Sequence, residues 1–304
     1  MRRLRSARRG FSILEIIVAL VIVGVLGTAV TKLILGQARS FQSDNGARRA
    51  RSTSRSAMNI LVTDLRMTQD IGGVTALDAT NNQRVEVRVP LVFGIVCEIT
   101  ASNTVIGLVS ADSFQLATAK YGGYAVRSLT TGRYGYAVAG TGDTITSTGA
   151  GRCHSGGVNI FADTITAGGR PGRVVVASPG PPAGTVVGAP AFVWQTVVYE
   201  FRNSGMYPGS KGLYREIRGR GNSDVLSEEL LAPFASTARF SYYSIPAQVR
   251  DRPDSVAPAV AMYDSLRGFR IVLPAQAPDT VPGRTGPQTA TTTTAVFFKN
   301  TRVQ

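Results

Sequence analysis

Apolar residues crowd near the start of the chain and thin out afterwards. Residues 11–35 read FSILEIIVALVIVGVLGTAVTKLIL, in which only Glu15 and Lys32 carry formal charge. The stretch between them is long enough to span most of a bilayer as a helix. A helical period then persists in diluted form. Ala50, Ser54, Ala57, Leu61, Leu65 and Thr68 recur every three or four residues, and Met58 and Val62 widen the stripe. Arg48, Arg51, Arg55 and Arg66 fall off it. The Gly72-Gly73 pair after Ile71 is a stop signal. One helix over 11–71 is therefore expected, about 90 Å long at 1.5 Å per residue, with Gly36 and Gly46 as weak points.

From about residue 74 the period switches to two. Residues 84–89 (RVEVRV) alternate as a half-buried strand does. Further strands are expected at 104–109, 134–138, 158–162, 173–177, 192–201, 212–218, 239–243, 269–273 and 295–299, separated by Gly, Pro, Ser and Thr punctuation. Residues 275–284 and the Thr-rich run before Ala295 read as loops. The Pro179-Gly180-Pro181-Pro182 segment marks the end of an inserted part, 98–185. The expected fold class is α+β: a long N-terminal α-helix, transmembrane then amphipathic, packed on a C-terminal antiparallel β-rich domain. The expected organisation is a basic leader at 1–10, a membrane segment at 11–35, its amphipathic continuation at 36–72, and an extracytoplasmic β-rich domain at 73–304.

Composition refines this picture. With 304 residues, a sizeable core can be buried, and 33 Gly with 15 Pro favour a turn-rich β fold. The net charge of +14 alone would suggest an anionic partner such as nucleic acid or an acidic lipid surface. Its placement argues otherwise. Arg2, Arg3, Arg5, Arg8 and Arg9 precede the apolar block, and their loss brings +14 to +9. Arg39, Arg48, Arg49, Arg51 and Arg55 follow it closely. Much of the charge thus flanks a membrane segment, which argues against nucleic acid.

Three readings of the apolar block compete. A secretory signal peptide has a shorter core ending at a small-x-small site. A twin-arginine signal matches Arg8-Arg9-Gly10-Phe11 but not the long apolar core with an acid inside it. A plain anchor explains the length and leaves Glu15 unexplained. An ionised carboxylate in the apolar phase costs several kcal/mol unless paired, so Glu15 requires either a partner or an escape to the interface.

The run Arg8-Arg9-Gly10-Phe11-Ser12-Ile13-Leu14-Glu15 closely resembles the type IV prepilin cleavage and methylation motif. That resemblance implies cleavage after Gly10 by a prepilin peptidase on the cytoplasmic face and N-methylation of Phe11. It implies that Glu15 recruits the subunit into a filament, where the new α-amino group of a neighbouring Phe11 neutralises it. It also implies an inner-membrane precursor with its N-terminus inside, surrounded by lipid before assembly. An assembly platform and other pilin or pseudopilin subunits would be its later partners. Arginines on both sides leave the positive-inside count undecided, although the short leader favours the same orientation. Many major pilins carry a Pro in the middle of this helix; here none precedes Pro90.

The later half resembles PilW-like minor pilins and the type II secretion pseudopilin J group. The residues are Val198-Tyr199-Glu200-Phe201, Leu213-Tyr214-Arg215, Val225-Leu226-Ser227, Phe240-Ser241-Tyr242-Tyr243, Phe269-Arg270-Ile271-Val272-Leu273 and Phe298-Lys299-Asn300. The stretch ahead of Val198 is longer than the pseudopilin would need, which favours a pilus component. No enzyme motif emerges: there is no Walker sequence, Gly-x-Ser-x-Gly or His-Glu-x-x-His, and the sole histidine, His154, sits in a Gly-rich segment. Neither a cofactor nor a metal site is expected, and Asp251, Asp254 and Asp264 lack EF-hand spacing. Tyr121, Tyr124, Tyr134 and Tyr136, with Arg127 and Arg133 among them, fit alternating strand residues better than a base-stacking surface. Cys97 and Cys153 would form either a disulfide, permitted outside the cytoplasm, or two buried thiols. A bond closing that loop would contribute about 4 kcal/mol by chain entropy.

Overall fold

The computed structural model describes residues 12–69, 71–108, 112, 115–116, 119–147, 153–155, 158–161, 166–167, 170–171, 173–222, 225–244 and 253–298. A single helix, α1, runs over Ile13–Met67. The strands that follow are β1 (Val74–Leu77), β2 (Arg84–Ile99), β3 (Thr104–Leu108), β4 (Gly123–Arg127), β5 (Tyr134–Val138), β6 (Ile145–Ser147), β7 (Cys153–Ser155), β8 (Val158–Phe161), β9 (Thr166–Ala167), β10 (Arg170–Pro171), β11 (Arg173–Ala177), β12 (Pro190–Asn203), β13 (Lys211–Arg218), β14 (Val225–Phe234), β15 (Arg239–Ser244), β16 (Leu266–Gln276) and β17 (Thr289–Phe297). A long N-terminal helix on an antiparallel sheet is the α+β architecture expected from the sequence.

The main sheet has the order β15-β16-β14-β13-β12-β2-β3-β11-β6, and every pairing is antiparallel. Its spine is β2 paired with β12, from Arg84 opposite Glu200 to Ile95 opposite Pro190. β12 is a largely buried run rich in β-branched and aromatic residues, as strands covered on both faces tend to be, whereas β2 alternates over 84–89 and becomes an apolar run only beyond Val89. The register shifts by one residue between Val193 and Trp194. Such a bulge bends a strand, and around it the two strands pass from one hydrophobic core into another.

The first core lies under α1. It joins Ala50, Ala57, Met58, Leu61 and Leu65 to Val85, Val87, Val197, Tyr199, Phe201, Phe240, Phe269 and Ile271. The second gathers Val92, Val96, Ile106, Leu108, Tyr124, Val126, Val175 and Val193. Arg88 links the turn after α1 to a further small cluster of Ala125, Phe192 and Trp194, against which Tyr134 and Tyr136 pack. Its guanidinium lies 4.8 Å from the ring centres of both Tyr136 and Trp194. It also donates to the Gly72 carbonyl at 2.8 Å, in the turn that leaves α1.

The buried stripe of α1 matches the sequence expectation: Ala50, Ser54, Ala57, Met58, Leu61 and Leu65 are buried. Two polar contacts fix how the helix sits. The Ser54 hydroxyl donates to the Leu273 carbonyl at 3.0 Å. Asp64 accepts from the Tyr199 hydroxyl at 2.6 Å and from Arg215 at 3.1 Å. Burial, together with the facing Asp64 carboxylate, pushes the Tyr199 phenol well above its ordinary range, so it stays a donor.

The helix ends at Met67, short of the expected 71. Thr68 turns extended, with ψ 134°, and its N–H donates to the Leu65 carbonyl at 3.3 Å. The glycine pair instead makes the turn into β1. Gly72 has φ +74°, and a Cβ there would come within 2.7 Å of the Tyr136 ring. The C-terminal end differs too. The run expected as a loop before Ala295 belongs to β17, and β16 continues to Gln276, two residues into the other expected loop. β-Branched threonines suit an extended chain, and β17 alternates exposed and half-buried positions along β16.

Because Leu61 is fully buried at the helix–sheet junction, Leu61→Ala should cost about 2–5 kcal/mol. Arg51→Ala, on the exposed face, should stay within about 0.5 kcal/mol. Denaturant unfolding of the full chain in detergent, followed through Trp194 fluorescence, would check both. Equal costs would refute the assigned helix face.

Candidate functional site

The candidate site is the start of α1. Ser12 is the N-cap, with extended backbone. The Leu14 N–H donates to Ser12 Oγ at 3.2 Å, and the Ser12 N–H donates to Glu15 Oε2 at 3.3 Å. Ser12-Ile13-Leu14-Glu15 is thus a capping box, in which two orphan helix donors are satisfied reciprocally. Sequence reasoning singled out Glu15 but not Ser12, although the S-x-x-E spacing carried the signal. The carboxylate also lies where the positive end of the helix dipole stabilises negative charge.

Gly10 and Phe11, the expected cleavage pair, lie outside the described residues. Glu15 heads a helix face continued by Ile16, Ala19, Leu20 and Val23. From Ile13, 78% exposed, to Leu35, 51% exposed, the large apolar side chains of α1 are all exposed among the described residues. This is the one described helix long and apolar enough to cross a membrane. Its polar atoms are largely silenced from within. Thr28 Oγ1 donates to the Val25 carbonyl and Thr31 Oγ1 to the Gly27 carbonyl, both at 2.8 Å. Hydroxyls bonded this way cost little in hydrocarbon. Glu15 is the exception: one backbone donor does not offset a full charge moved out of water. The geometry therefore offers a pre-formed helix whose apolar surface and single acid both need external partners.

The other expected candidates fall elsewhere. Cys97 on β2 is fully buried and disulfide-bonded. Cys153 lies on β7, which packs against β2 and β3. Tyr124 is buried, and its hydroxyl bonds to Thr104 and donates to the Pro179 carbonyl. Tyr134 and Tyr136 pack on Phe192, with ring centres 4.8 and 6.1 Å away. Tyr121 accepts from the Ile145 N–H. These tyrosines are packing residues; they form no open stacking surface. Arg127 donates to the Gly132 carbonyl at 3.1 Å, and Arg133 is exposed. Asp264 accepts from the Gly72 N–H and Asp254 from the Ser244 hydroxyl, which gives each a structural role. Asp251 and the side chain of His154 lie outside what is described. Among the described residues, no group of three His, Cys, Asp or Glu is placed to hold a metal ion.

Residues 5–31 match the family model of the prokaryotic N-terminal methylation motif. No curated protein and no solved structure matches the chain. The match takes in residues 5–10 of the basic N-terminal stretch, the capping box and much of the exposed apolar run. The chain thus carries a prepilin-like N-terminus on a transmembrane-capable helix, as a membrane-anchored precursor does.

Ser12→Ala removes the cap, at about 1 kcal/mol. In detergent micelles the Leu14 amide should then exchange with solvent faster, while amides near Gly27 keep their rate. Unchanged exchange at Leu14 would mean that the cap is not formed in a membrane-like medium.

Proposed function

We propose that this chain is the precursor of a minor pilin, incorporated into a type IV pilus-like filament or priming its assembly. The observation that carries the reading is the conjunction at the helix start: a methylation motif over 5–31, and Glu15, bonded only to the Ser12 N–H among the described residues, at the head of an exposed apolar helix surface. In this reading a prepilin peptidase cuts after Gly10 at the cytoplasmic face, removing the 1–10 leader, and Phe11 is N-methylated. The new α-amino group of one subunit meets the Glu15 carboxylate of another. Each charge is costly alone in hydrocarbon, and pairing offsets both costs only on association. Before that, lipid covers residues 11–35; afterwards the helices of other subunits do.

The function is structural, not enzymatic. The N-terminus would face the cytoplasm, and residues 73–304 would lie outside the inner membrane. That location permits a Cys97–Cys153 disulfide, and 98–185 would be an insertion in the pilin domain. The C-terminal resemblance also fits a pseudopilin J-like component of type II secretion. The length of chain ahead of Val198 favours the pilus.

Mass spectrometry of the mature N-terminus tests the reading directly. A methylated Phe11 is expected; an intact leader or another cut site would sink it. Glu15→Ala should leave membrane insertion unchanged and reduce recovery in sheared filaments by about tenfold or more, the equivalent of losing at least ~1.4 kcal/mol. Full recovery would support an anchored domain that never polymerises. For the cysteines, alkylation of exported protein should label neither thiol before reduction and both after it. Labelling of the unreduced protein would exclude the bond.

A further inference from the structure

Beyond the membrane segment, one exposed flank of α1 is basic. Arg48, Arg51, Arg55 and Arg66 are all exposed. At ~100° per residue they fall within one sector of about 60°, about 100° round the helix from the centre of the buried stripe. They extend over about 27 Å of helix. Among the described residues none of the four forms an ion pair. Arg48, Arg51 and Arg55, with Ser52, Ser56 and Asn59, line a shallow groove of about 330 Å³. Arg48, Arg51 and Arg55, spaced three and four residues apart, repel one another, so the row is a standing electrostatic cost unless an anionic surface meets it.

Lipid is the first candidate, and distance decides against it. Arg48 stands about 20 Å beyond Leu35 along the helix, and Arg66 about 46 Å. The field of a lipid surface decays within ~8 Å at physiological salt. Because α1 is continuous over Ile13–Met67, residues 16–35 cannot cross a bilayer while 48–66 lie flat on it. A second copy of the chain is the next candidate, and charge decides against it. Glu86, Glu216 and Asp64 are already engaged by arginines of their own chain. The exposed carboxylates that remain, such as Glu98, Glu228, Asp254 and Asp279, sit on separate elements and make no matching row. Two copies at +9 each would also repel.

We propose that the face Arg48–Arg51–Arg55–Arg66 docks a different and acidic polypeptide, a neighbouring subunit that presents a row of carboxylates. Arginine forks bind carboxylates bidentately, and the groove between them admits a side chain. The inference rests on the filament reading and deepens it: a chain that cannot satisfy its own basic face is built to stand among unlike subunits. Such pairing would fix which neighbour sits here more than how tightly it is held.

The test places a photo-crosslinking amino acid at Ser52 of the full-length chain, in the cells that make it, with Thr291 as an outward-facing control position. Mass spectrometry should find an adduct from Ser52, and not from Thr291, with an Asp- or Glu-rich segment of another protein. Combined Arg48→Glu, Arg51→Glu and Arg55→Glu should cut its yield by about tenfold or more. Lysines placed at the partner's identified carboxylates should restore it. A melting temperature within a few degrees of wild type shows that the variant folds. Adducts with lipid, with a second copy or with a segment lacking carboxylates would overturn the proposal, as would no adduct or a yield indifferent to charge reversal. Phe11 processing and filament incorporation are measured in the same cells. Their failure sinks the filament reading and this inference with it, whereas a processed, incorporated chain without an acidic adduct sinks the inference alone.

Discussion

The apolar surface of α1 between Ile13 and Leu35 has no covering among the described residues. Each Val, Leu or Ile left in water forgoes about 1.5–3 kcal/mol. A dozen or more such side chains therefore forgo tens of kcal/mol, beyond the ~5–15 kcal/mol that usually separates folded from unfolded chains. No rearrangement of the sheet could recover that, because both of its cores are already filled. The segment must lie in lipid or among like helices, and the rest of the molecule is arranged around that demand. The same demand makes Glu15 significant. A carboxylate on a solvated helix would be unremarkable, whereas at the head of this surface it is the one acid that a change of surroundings must answer.

The second half of the helix meets the opposite requirement. It stays in water and binds the sheet by a narrow stripe. Alanines at positions 50 and 57 allow close approach, and Leu61 and Leu65 fill the space beyond. Apolar packing of this kind is weakly directional. The directional information comes from Ser54 on the Leu273 carbonyl and from Asp64 between Tyr199 and Arg215. Sliding or turning the helix by one residue would strand the buried Ser54 hydroxyl, at a cost of about 1–3 kcal/mol, and break the partly exposed Asp64 contacts as well.

The helix, its buried stripe and the fold class were legible because their signal is a contrast between apolar and polar positions at a fixed period. Where contrast failed, so did the reading. β17 alternates threonine with threonine, so its two faces look alike in sequence although one is half-buried. β14, with the sequence VLSEELLAPF, was seen only as a fragment of resemblance. Its first half is exposed on both faces and carries two glutamates, and it is a strand because β13 pairs with it. β4 is short and begins at a glycine, and the hairpin it forms with β5 depends on distant β12. The helix terminus was misplaced by four residues because Gly72-Gly73 marks the turn beyond the end. The stop itself is made by Thr68, whose burial no local pattern announces. At the candidate site the charge was legible and the cap was missed, since Ser12 reads as one more small residue before an apolar run.

The helix grip has a mechanical side. The contacts between α1 and the sheet run along the helix axis from Ala50 to Leu65, about 22 Å at 1.5 Å per residue. A force that draws the domain straight away from the bilayer loads those contacts in shear, all together. A force that tips the domain sideways would peel them one at a time. The load then passes from β16 and β12 into ladders of backbone hydrogen bonds, and the β2–β12 spine carries it on into the second core. The molecule is thus stiff along the line on which its apolar tether would be extracted, and compliant across it.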